Sequence, residues 1–477
     1  MATLAPSPAR PGRGRELALL LLALAISTYA YAQVGLAMEG RLPADFVRYS
    51  VGFAGLALVL HILLRVRAPY ADPVILPTVV LLNGTGLAMI YRLQLRYQVS
   101  LPMFGSIASR QLLWTGVGIG AAALVIVLLR DHRTLRRFTF TAMLIGLAAL
   151  VLPLAPGIGK AEGGSRIWIR LGSFSFQPAE LSKILLAVFF AGYLVTRRDT
   201  LSLAGPKILR LQLPRLRDLG PILLAWLTSL GVLIFEKDLG TSLLFFGLFV
   251  AMLYVATDRP SWIALGLILF AVGVTAAHTA FSHVRSRFDI WLHPFSSEVY
   301  NRDPGGSGQL VKGLFGMANG GLFGTGWGRG RPDLTELAFS DFIVTSLGEE
   351  LGLTGLFAIL LCFAILIQRG MRTAVGVSDG FGKLLASGLA FSFALQVFTV
   401  VGGVTRLIPL TGLTVPFMAA GGSALVANWM IAALLLRISD GARRPAPATN
   451  EIDLAPILAA EAADAADAAK ASAGDAP

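Results

Sequence analysis

Long apolar runs alternate with short polar segments along most of the chain. Many of these runs approach 20 residues, the length that an α-helix rising 1.5 Å per residue needs to cross the hydrocarbon core of a bilayer. The pattern predicts an all-α fold, a polytopic bundle of about twelve membrane-spanning helices. They are placed near residues 17–37, 46–64, 72–90, 111–129, 138–155, 179–196, 219–234, 239–256, 261–280, 342–367, 384–402 and 412–436.

The two ends of the chain depart from this pattern. Residues 1–15 are rich in Pro, Arg and Ala, and residues 438–477 are rich in Ala and acidic side chains with little to bury. Both segments are predicted to be mobile tails, which leaves residues 16–437 as the membrane domain. The first apolar run is long and follows several arginines, so it is interpreted as a retained span and not as a cleaved signal peptide.

Composition supports the membrane interpretation. Charged residues make up 14% of the chain, against about 25% in soluble proteins, too few to cover a water-soluble surface. The net charge of +12 could indicate nucleic-acid binding, but the basic residues lie in short loops beside apolar runs and form no basic and aromatic platform for stacked bases. We therefore expect a membrane protein that contacts anionic lipids or an anionic substrate, and no nucleic acid. The single Cys362 excludes an internal disulfide and a structural zinc site.

Basic residues also predict the orientation. Lys and Arg accumulate on the cytoplasmic side, and dense clusters stand at residues 130–137 and 197–217. We therefore predict a multi-pass plasma-membrane protein with both termini in the cytoplasm. Polar, Gly-rich segments, above all the long loop 281–340, then fall on the extracytoplasmic face. This loop retains several aromatic residues and is predicted to be ordered and partly buried.

Charged residues inside or beside spans are candidate functional groups because they are costly there. Glu180 and Lys183 stand three residues apart on one helix face, where they can pair, either for function or merely to fix helix packing. Asp238 precedes a span and can bind substrate or simply cap the next helix.

Asp341 opens the tenth span directly after the long loop. A carboxylate at this boundary has the access that a general base needs, and its alternative role is again a helix cap. Glu349 and Glu350 lie about 12–14 Å further along the same helix, too deep to stay unpaired. They are expected to have partners, protons or water.

Several short motifs suggest nucleotide, phosphate or metal binding, but the residues around them do not support these functions. The Gly-rich run 324–330 follows no strand of a βαβ unit, and Gly159-Lys160 lacks the following Ser or Thr of a phosphate-binding loop. The five histidines form no cluster with metal-ligand spacing. No tightly bound cofactor is expected, although a divalent cation such as Mg²⁺ or Mn²⁺ could act with a substrate.

Arginines on the predicted outer face form a more promising set. The planar guanidinium suits phosphate oxygens, and a lipid-linked diphosphate would place its charge at this depth. The alternative role of each arginine is simple anchoring of a helix. Arg170 and Arg406 flank the same spans. The candidates for substrate binding are Arg166, Arg285 and Arg287, Gln309 of the long loop, and the charged residues Glu180, Lys183 and Asp238.

Five blocks of sequence follow one another in order between residues 160 and 425: residues 163–168 with 176–183, then 237–242, 319–327, 340–352 and 407–423. In these blocks the chain resembles the SEDS family of shape, elongation, division and sporulation proteins. The likeness is to its RodA branch from high-GC Gram-positive bacteria, whose members carry two helices beyond the common ten, here the two N-terminal ones.

The resemblance implies a peptidoglycan glycosyltransferase that polymerises lipid II during cell elongation and maintenance of cell shape. The family's essential aspartate matches Asp341, the candidate general base, and its intramembrane ion pair matches Glu180 and Lys183. It also implies a class B penicillin-binding protein, a transpeptidase, as partner.

The chain departs from the family in two places. Many relatives carry Pro-Glu-x-His-Thr before the aspartate, whereas residues 335–340 lack the Pro and the His. Arg406 replaces a residue that is often uncharged. Two other functions stay open: a flippase for lipid-linked precursors, and a non-catalytic scaffold for a transpeptidase. Against the flippase, no repeated motifs relate residues 1–240 to 241–477.

Overall fold

The computed structural model describes residues 12–445 except 98–99, 102–104, 163–164, 172–173, 203–206, 209–210, 213–226, 228–230, 232–235, 237 and 304. The described chain is almost wholly helical, which confirms the all-α fold class. Its α-helices, numbered α1 to α14 in chain order, are Arg13–Glu39, Phe46–Arg67, Ile75–Tyr97, Ile107–Leu128, Thr139–Val151, Pro178–Ser202, Leu239–Thr257, Ser261–Ala280, Ser282–Leu292, Ser297–Tyr300, Gly308–Gly320, Ile343–Gly376, Gly380–Val404 and Gly422–Arg443.

Short pieces of other structure join these helices. Short 3₁₀ helices cover His132–Phe138, Leu152–Leu154 and Pro332–Leu334. Within the described residues, all strands pair antiparallel, in three small sheets of order β1-β2, β3-β4-β5 and β6-β7. The seven strands are Ser100–Leu101, Gly105–Ser106, Gly159–Glu162, Ser165–Leu171, Phe174–Phe176, Lys207–Ile208 and Leu211–Gln212. The three-stranded sheet fills the predicted loop between α5 and α6.

Eleven helical stretches of the described chain are long and apolar enough to cross a membrane. They match eleven of the twelve predicted spans. The twelfth, 219–234, lies outside the described residues except for Leu227 and Gly231, which are helical. The polytopic helical bundle predicted from the apolar runs is therefore confirmed for the part that the structure describes.

Helices α3, α6, α13 and α14 form the mostly buried centre of this bundle. Small residues let the centre pack closely. A Cβ on Gly86 of α3 would lie 2.5 Å from the backbone of Met418, and one on Gly84 would lie 2.1 Å from Oγ of Ser27 in α1. In a bilayer, where apolar side chains gain little by leaving lipid, such close backbone approach favours helix association.

The predicted span 412–436 is wrong at its start, because residues 412–421 are not helical and α14 begins only at Gly422. Pro416 and the Gly421-Gly422 pair disfavour a helix here. The extended segment stays buried because side chains satisfy its carbonyl groups. Gln396 Nε2 donates to Thr414 O at 2.8 Å, Gln111 Nε2 to Ala419 O at 3.1 Å, and Asn83 Nδ2 to Phe417 O at 3.3 Å.

Both predicted tail boundaries also need correction. Helix α14 continues to Arg443, past the predicted boundary at 437, because Asp440 is buried and accepts a hydrogen bond from Tyr70 N at 2.9 Å. Helix α1 begins at Arg13, whose buried guanidinium pairs with Glu16 and donates to backbone carbonyls near the end of α2. Residues 1–11 and 446–477 lie outside the described residues, so the mobility of the tails stays a prediction.

The described residues of the 281–340 segment are partly buried, as predicted. The segment is more regular than expected, because helices α9, α10 and α11 and the turn Pro332–Leu334 lie within it. Helix α11 packs against α12 and brings the segment back over the bundle. Its position on one side of a membrane remains a prediction.

Candidate active site

Asp341 lies in a tight turn directly before α12. The turn is fixed on both sides of the carboxylate. Phe342 is fully buried, and a Cβ on Gly313 of α11 would lie 3.0 Å from its ring. Phe339 O accepts a hydrogen bond from Ala420 N at 2.8 Å. The half-buried Asp341 is therefore held between α11 and the extended segment before α14.

Backbone strain is concentrated around this turn. Four non-glycine residues of the described chain have positive φ. Three of them stand in the segments that meet here: Leu337 at 51°, Arg406 at 66° and Phe417 at 65°. Such conformations persist only where the surrounding structure fixes them, and they cluster at functional sites. The strain marks the Asp341 end of the bundle as a candidate site.

Arg287 of α9 links two carboxylates electrostatically, those of Asp341 and Asp238. Its Nη1 donates to Leu410 O at 2.8 Å, which fixes the guanidinium against the chain after α13. Burial raises the pKa of Asp341 from 3.8 to about 6, although its own backbone N–H, Arg287 and the N–H of Phe342 oppose the shift. A carboxylate with a raised pKa and a cation within electrostatic range is suited to act as a general base.

Asp238 caps helix α7. One carboxylate oxygen accepts from Thr241 N at 2.9 Å and the other from Thr241 Oγ1 at 2.6 Å. This confirms the capping alternative for Asp238. The same carboxylate lies within electrostatic range of Arg287, which attracts it, and of Glu180, which repels it.

Glu180 and Lys183 form the predicted ion pair, with Lys183 Nζ 2.9 Å from Glu180 Oε2. Both side chains are buried. Lys183 Nζ also donates to Gln396 Oε1 at 3.2 Å and to Asn428 Oδ1 at 3.4 Å. The ammonium therefore joins α6, α13 and α14 at the centre of the bundle.

Glu349 and Glu350 have the partners that their depth requires. Glu350 pairs with Arg92 of α3 and accepts from Gly328 N at 2.9 Å. Glu349 Oε1 accepts from Arg331 N at 2.7 Å and lies 3.4 Å from Asn319 Nδ2. The expectation of paired carboxylates is confirmed for both residues.

The remaining candidates lie outside this chain of charges. Arg166 is exposed on β4, and Arg285 is exposed on α9, where Nη2 donates to Thr279 O at 3.1 Å. Two residues apart on one helix, Arg285 and Arg287 face nearly opposite directions. Gln309 at the start of α11 donates to Glu336 O at 2.6 Å, so its amide holds the chain that leads to Asp341.

Arg406 has a structural explanation that the sequence did not give. Its Nε donates to Trp291 O at 2.9 Å, and Trp291 Nε1 donates back to Arg406 O at 3.0 Å. The guanidinium also lies 5.9 Å above the ring of Phe295. Arg406 therefore fastens the C-terminal end of α9, the helix that carries Arg287.

We expect Arg406→Ala to destabilise the protein by about 1.5 kcal/mol, the lower end for a hydrogen bond from a charged group, because this side chain is half-exposed. Thermal unfolding of the purified protein in detergent measures the change. Leu407→Ala, at the exposed neighbouring position, is the control and should leave the midpoint in place. Equal midpoints for both variants would contradict the fastening role.

Sequence reasoning missed two groups of residues. Gln396, Asn428, Gln111 and Asn83 are uncharged, so an argument from charge could not select them. Arg92 was missed because it lies two residues beyond the predicted end of the third span. An arginine this close to a span is nevertheless a candidate functional residue. Within the described residues, no three His, Cys, Asp or Glu side chains converge as metal ligands would.

Comparison with known proteins gives a consistent result. Residues 73–444 match the family model described as cell cycle protein, FtsW, RodA and SpoVE. The chain is 50% identical over 421 residues to peptidoglycan glycosyltransferase RodA of Mycobacterium tuberculosis, with 88% of each chain covered. It is 33% identical over 386 residues to a probable peptidoglycan glycosyltransferase FtsW of Trichlorobacter lovleyi, with 80% of this chain and 96% of the relative covered.

A solved structure supports the fold. A chain from a peptidoglycan synthase complex that coordinates polymerisation and crosslinking superimposes with a TM-score of 0.60. The match covers 77% of this chain and 97% of that one, at 24% sequence identity. At this level of identity, the likeness concerns the arrangement of the helices.

Proposed function

The chain belongs to the FtsW, RodA and SpoVE family of cell cycle proteins, and on that premise we propose that it is a peptidoglycan glycosyltransferase that polymerises lipid II into glycan strands. We assign it to cell elongation and shape, because identity to the mycobacterial RodA is 50% whereas identity to the FtsW relative is 33%. The observation that carries the proposal is the half-buried Asp341 beside Arg287 at one end of the bundle.

In the proposed reaction, Asp341 acts as general base. It accepts the proton of the 4-hydroxyl on the GlcNAc of one lipid-linked saccharide. That oxygen forms a bond to the anomeric carbon of the MurNAc of another, and the bond from this carbon to the diphosphate breaks with inversion. Undecaprenyl diphosphate leaves with the electron pair, and Asp341 then gives its proton to water. The raised pKa of Asp341 suits a base that works near neutral pH.

The proposed role of the cations is to hold and stabilise the departing diphosphate. Arg287 is the foremost candidate because its guanidinium neighbours Asp341 and is fixed by Leu410 O. Fixed cations aimed at developing negative charge need no reorganisation during reaction. The exposed Arg166 and Arg285 would receive the diphosphate as it enters or leaves. Glu180, Lys183 and Asp238 would bind or orient polar groups of the substrate, and Gln309 would hold the chain that leads to Asp341.

A divalent cation would be held mainly by the substrate. Mg²⁺ usually binds through one or two carboxylates plus substrate phosphates. Asp238 already accepts two hydrogen bonds from Thr241, and Asp341 is approached by backbone N–H groups, so neither carboxylate forms a preformed metal site by itself. We therefore propose that any Mg²⁺ or Mn²⁺ enters with the diphosphate and is not a resident cofactor.

Topology and partner complete the proposal. The positive-inside rule favours both termini in the cytoplasm and Asp341 on the extracytoplasmic face, where glycan strands are needed. A class B penicillin-binding transpeptidase is the proposed partner, in keeping with the structural likeness to a chain of a synthase complex that couples polymerisation with crosslinking.

The test is incorporation of purified lipid II into glycan by the full chain in detergent, with and without the candidate transpeptidase. Product from the protein alone, or with its partner, supports a polymerase. If a folded, partnered sample makes no glycan, liposomes containing the protein distinguish the alternatives. Labelled lipid II that crosses these liposomes would indicate a flippase, and lipid II that stays in place would indicate a scaffold.

The pH dependence of kcat/KM should follow the titration of Asp341. Because the base must be deprotonated, the rate should fall about tenfold per pH unit below pH 6 and level off above it. A pH–rate profile between pH 4.5 and 8 measures the inflection. A profile that is flat between pH 5 and 7 would remove Asp341 as the titrating base.

A further inference from the structure

Helix α12 is broken at Gly352, and the break divides it into a first half of residues 343–351 and a second half from Leu353 onward. Gly352 has φ 68° and ψ −172°, outside the helical region. The break frees backbone groups that must find partners, since an unpaired group inside a membrane is costly.

The Gly-rich segment 320–331 supplies these partners. Thr325 N donates to Glu349 O at 3.0 Å and Gly326 N to Glu350 O at 2.9 Å, so the end of the first half is capped. Leu353 N and Thr354 N, which begin the second half, donate at 2.9 and 3.0 Å to the carbonyls of Gly321 and Leu322. The two segments are thus bonded to each other through their backbones.

This arrangement explains two glycines of the segment, Gly320 and Gly324. Gly324 has φ 80°, and a Cβ there would lie 2.2 Å from Glu350 O. A Cβ on Gly320 would lie 2.2 Å from Gly348 O. Glycine is required at both positions because the segment lies directly on the backbone of α12.

One side chain ties this junction to the centre of the bundle. Arg92 of α3 is fully buried and uses its whole guanidinium. Its Nε pairs with Glu350, its Nη2 donates to Gly330 O, and its Nη1 lies 3.4 Å from Asp333 Oδ1. It therefore contacts the end of the first half-helix and two points of the segment that leads to Asp341.

We propose that Arg92 is a positioning residue for Asp341. The first half of α12 is a short rigid rod with Glu350 at one end and Asp341 just before the other, about 12–14 Å away. By fixing Glu350, Gly330 and Asp333 to α3, Arg92 sets the position and rotation of this half-helix relative to α3. The planar fork of arginine can engage all three groups at once, which a lysine ammonium cannot do. The inference rests on the proposed function in so far as Asp341 is the base.

The first test is Arg92→Lys, which keeps the positive charge next to Glu350 but loses the fork. We expect kcat for lipid II polymerisation to fall by about 10²-fold with KM unchanged. The reason is that Asp341, which Arg92 does not contact, would be misplaced by about 1 Å. Arg96→Lys, at an exposed position one turn along α3, is the matched control and should keep wild-type kcat. Equal kcat values for the two variants would overturn the proposal.

The second test separates positioning from mere charge neutralisation. Arg92→Met combined with Glu350→Met removes both buried charges and keeps apolar volume. We expect the double variant to unfold at a higher temperature than Arg92→Met alone, because no unpaired buried charge remains, while kcat stays about 10²-fold low, because Gly330 and Asp333 lose their contact with α3. Recovery of both stability and kcat in this variant would overturn the positioning role.

A third readout does not depend on catalysis. Hydrogen exchange at the amides of Thr325, Gly326, Leu353 and Thr354 should be faster in Arg92→Lys than in wild type and in Arg96→Lys. Unchanged exchange would contradict the proposal. A wild-type protein that makes no glycan would instead contradict the proposed function, and the exchange measurement would still report whether Arg92 holds this junction.

Discussion

Replacing Asp341 by asparagine is expected to lower glycan polymerisation by about 10²–10⁴-fold, the contribution of a well-placed general base, while the protein stays folded in the membrane. The amide has the size of the carboxylate but cannot take the proton of the attacking hydroxyl. The turn should survive because Phe342 and the bond from Ala420 N to Phe339 O fix it, and neither involves the carboxylate. Burial also raises the pKa of Asp341, so loss of its charge carries no electrostatic cost to the fold.

The measurement is single-turnover and steady-state incorporation of lipid II, with thermal unfolding on the same samples. Asp303→Asn is the matched control, since Asp303 is an exposed carboxylate of the same 281–340 segment. Its rate should equal that of wild type. Asp341→Asn that polymerises at the wild-type rate would exclude Asp341 as the base, and a lowered unfolding midpoint would show that the residue acts on the fold instead.

The spans could be predicted because the bilayer imposes one simple requirement, about 20 apolar residues for each helix. The same rule failed at residues 412–421, which are apolar enough to be helical but contain Pro416 and lead into the Gly421-Gly422 pair. A buried extended segment needs side chains from other helices to satisfy its carbonyls. Gln111 and Gln396 supply these bonds from far away in the sequence, where no local pattern reveals them.

The candidate site could be predicted in part for a similar reason. A charge beside an apolar run is visible in the sequence, so Asp341, Asp238 and the Glu180–Lys183 pair were identified, although their mutual arrangement was not. The interaction of Arg287 with two carboxylates depends on how α9 folds back onto the chain after α13, and the helical character of 281–340 was not evident from its composition.

Two interruptions of helical structure meet around the same end of the bundle: the extended segment before α14 and the turn before α12. Bonds between them, such as that from Ala420 N to Phe339 O, make their positions interdependent. Non-helical backbone at membrane depth is tolerated where protein groups satisfy it or where it lines a cavity. This physical requirement explains why the amide side chains of Asn83, Gln111 and Gln396 donate to carbonyls of the segment before α14.

Replacing Lys183 by methionine is expected to destabilise the protein by about 3–5 kcal/mol, the cost of leaving one member of a buried ion pair without its counter-charge. Glu180 would remain buried, and Gln396 Oε1 and Asn428 Oδ1 would each lose a donor. The combined change Lys183→Met with Glu180→Gln should recover much of this loss, since no unpaired charge remains.

Thermal unfolding of the purified protein in detergent measures each variant, with Lys383→Met, at an exposed position in the first turn of α13, as the control. A Lys183→Met midpoint equal to that of Lys383→Met would show that Glu180 finds another partner or a proton. The ion pair would then not stabilise the fold.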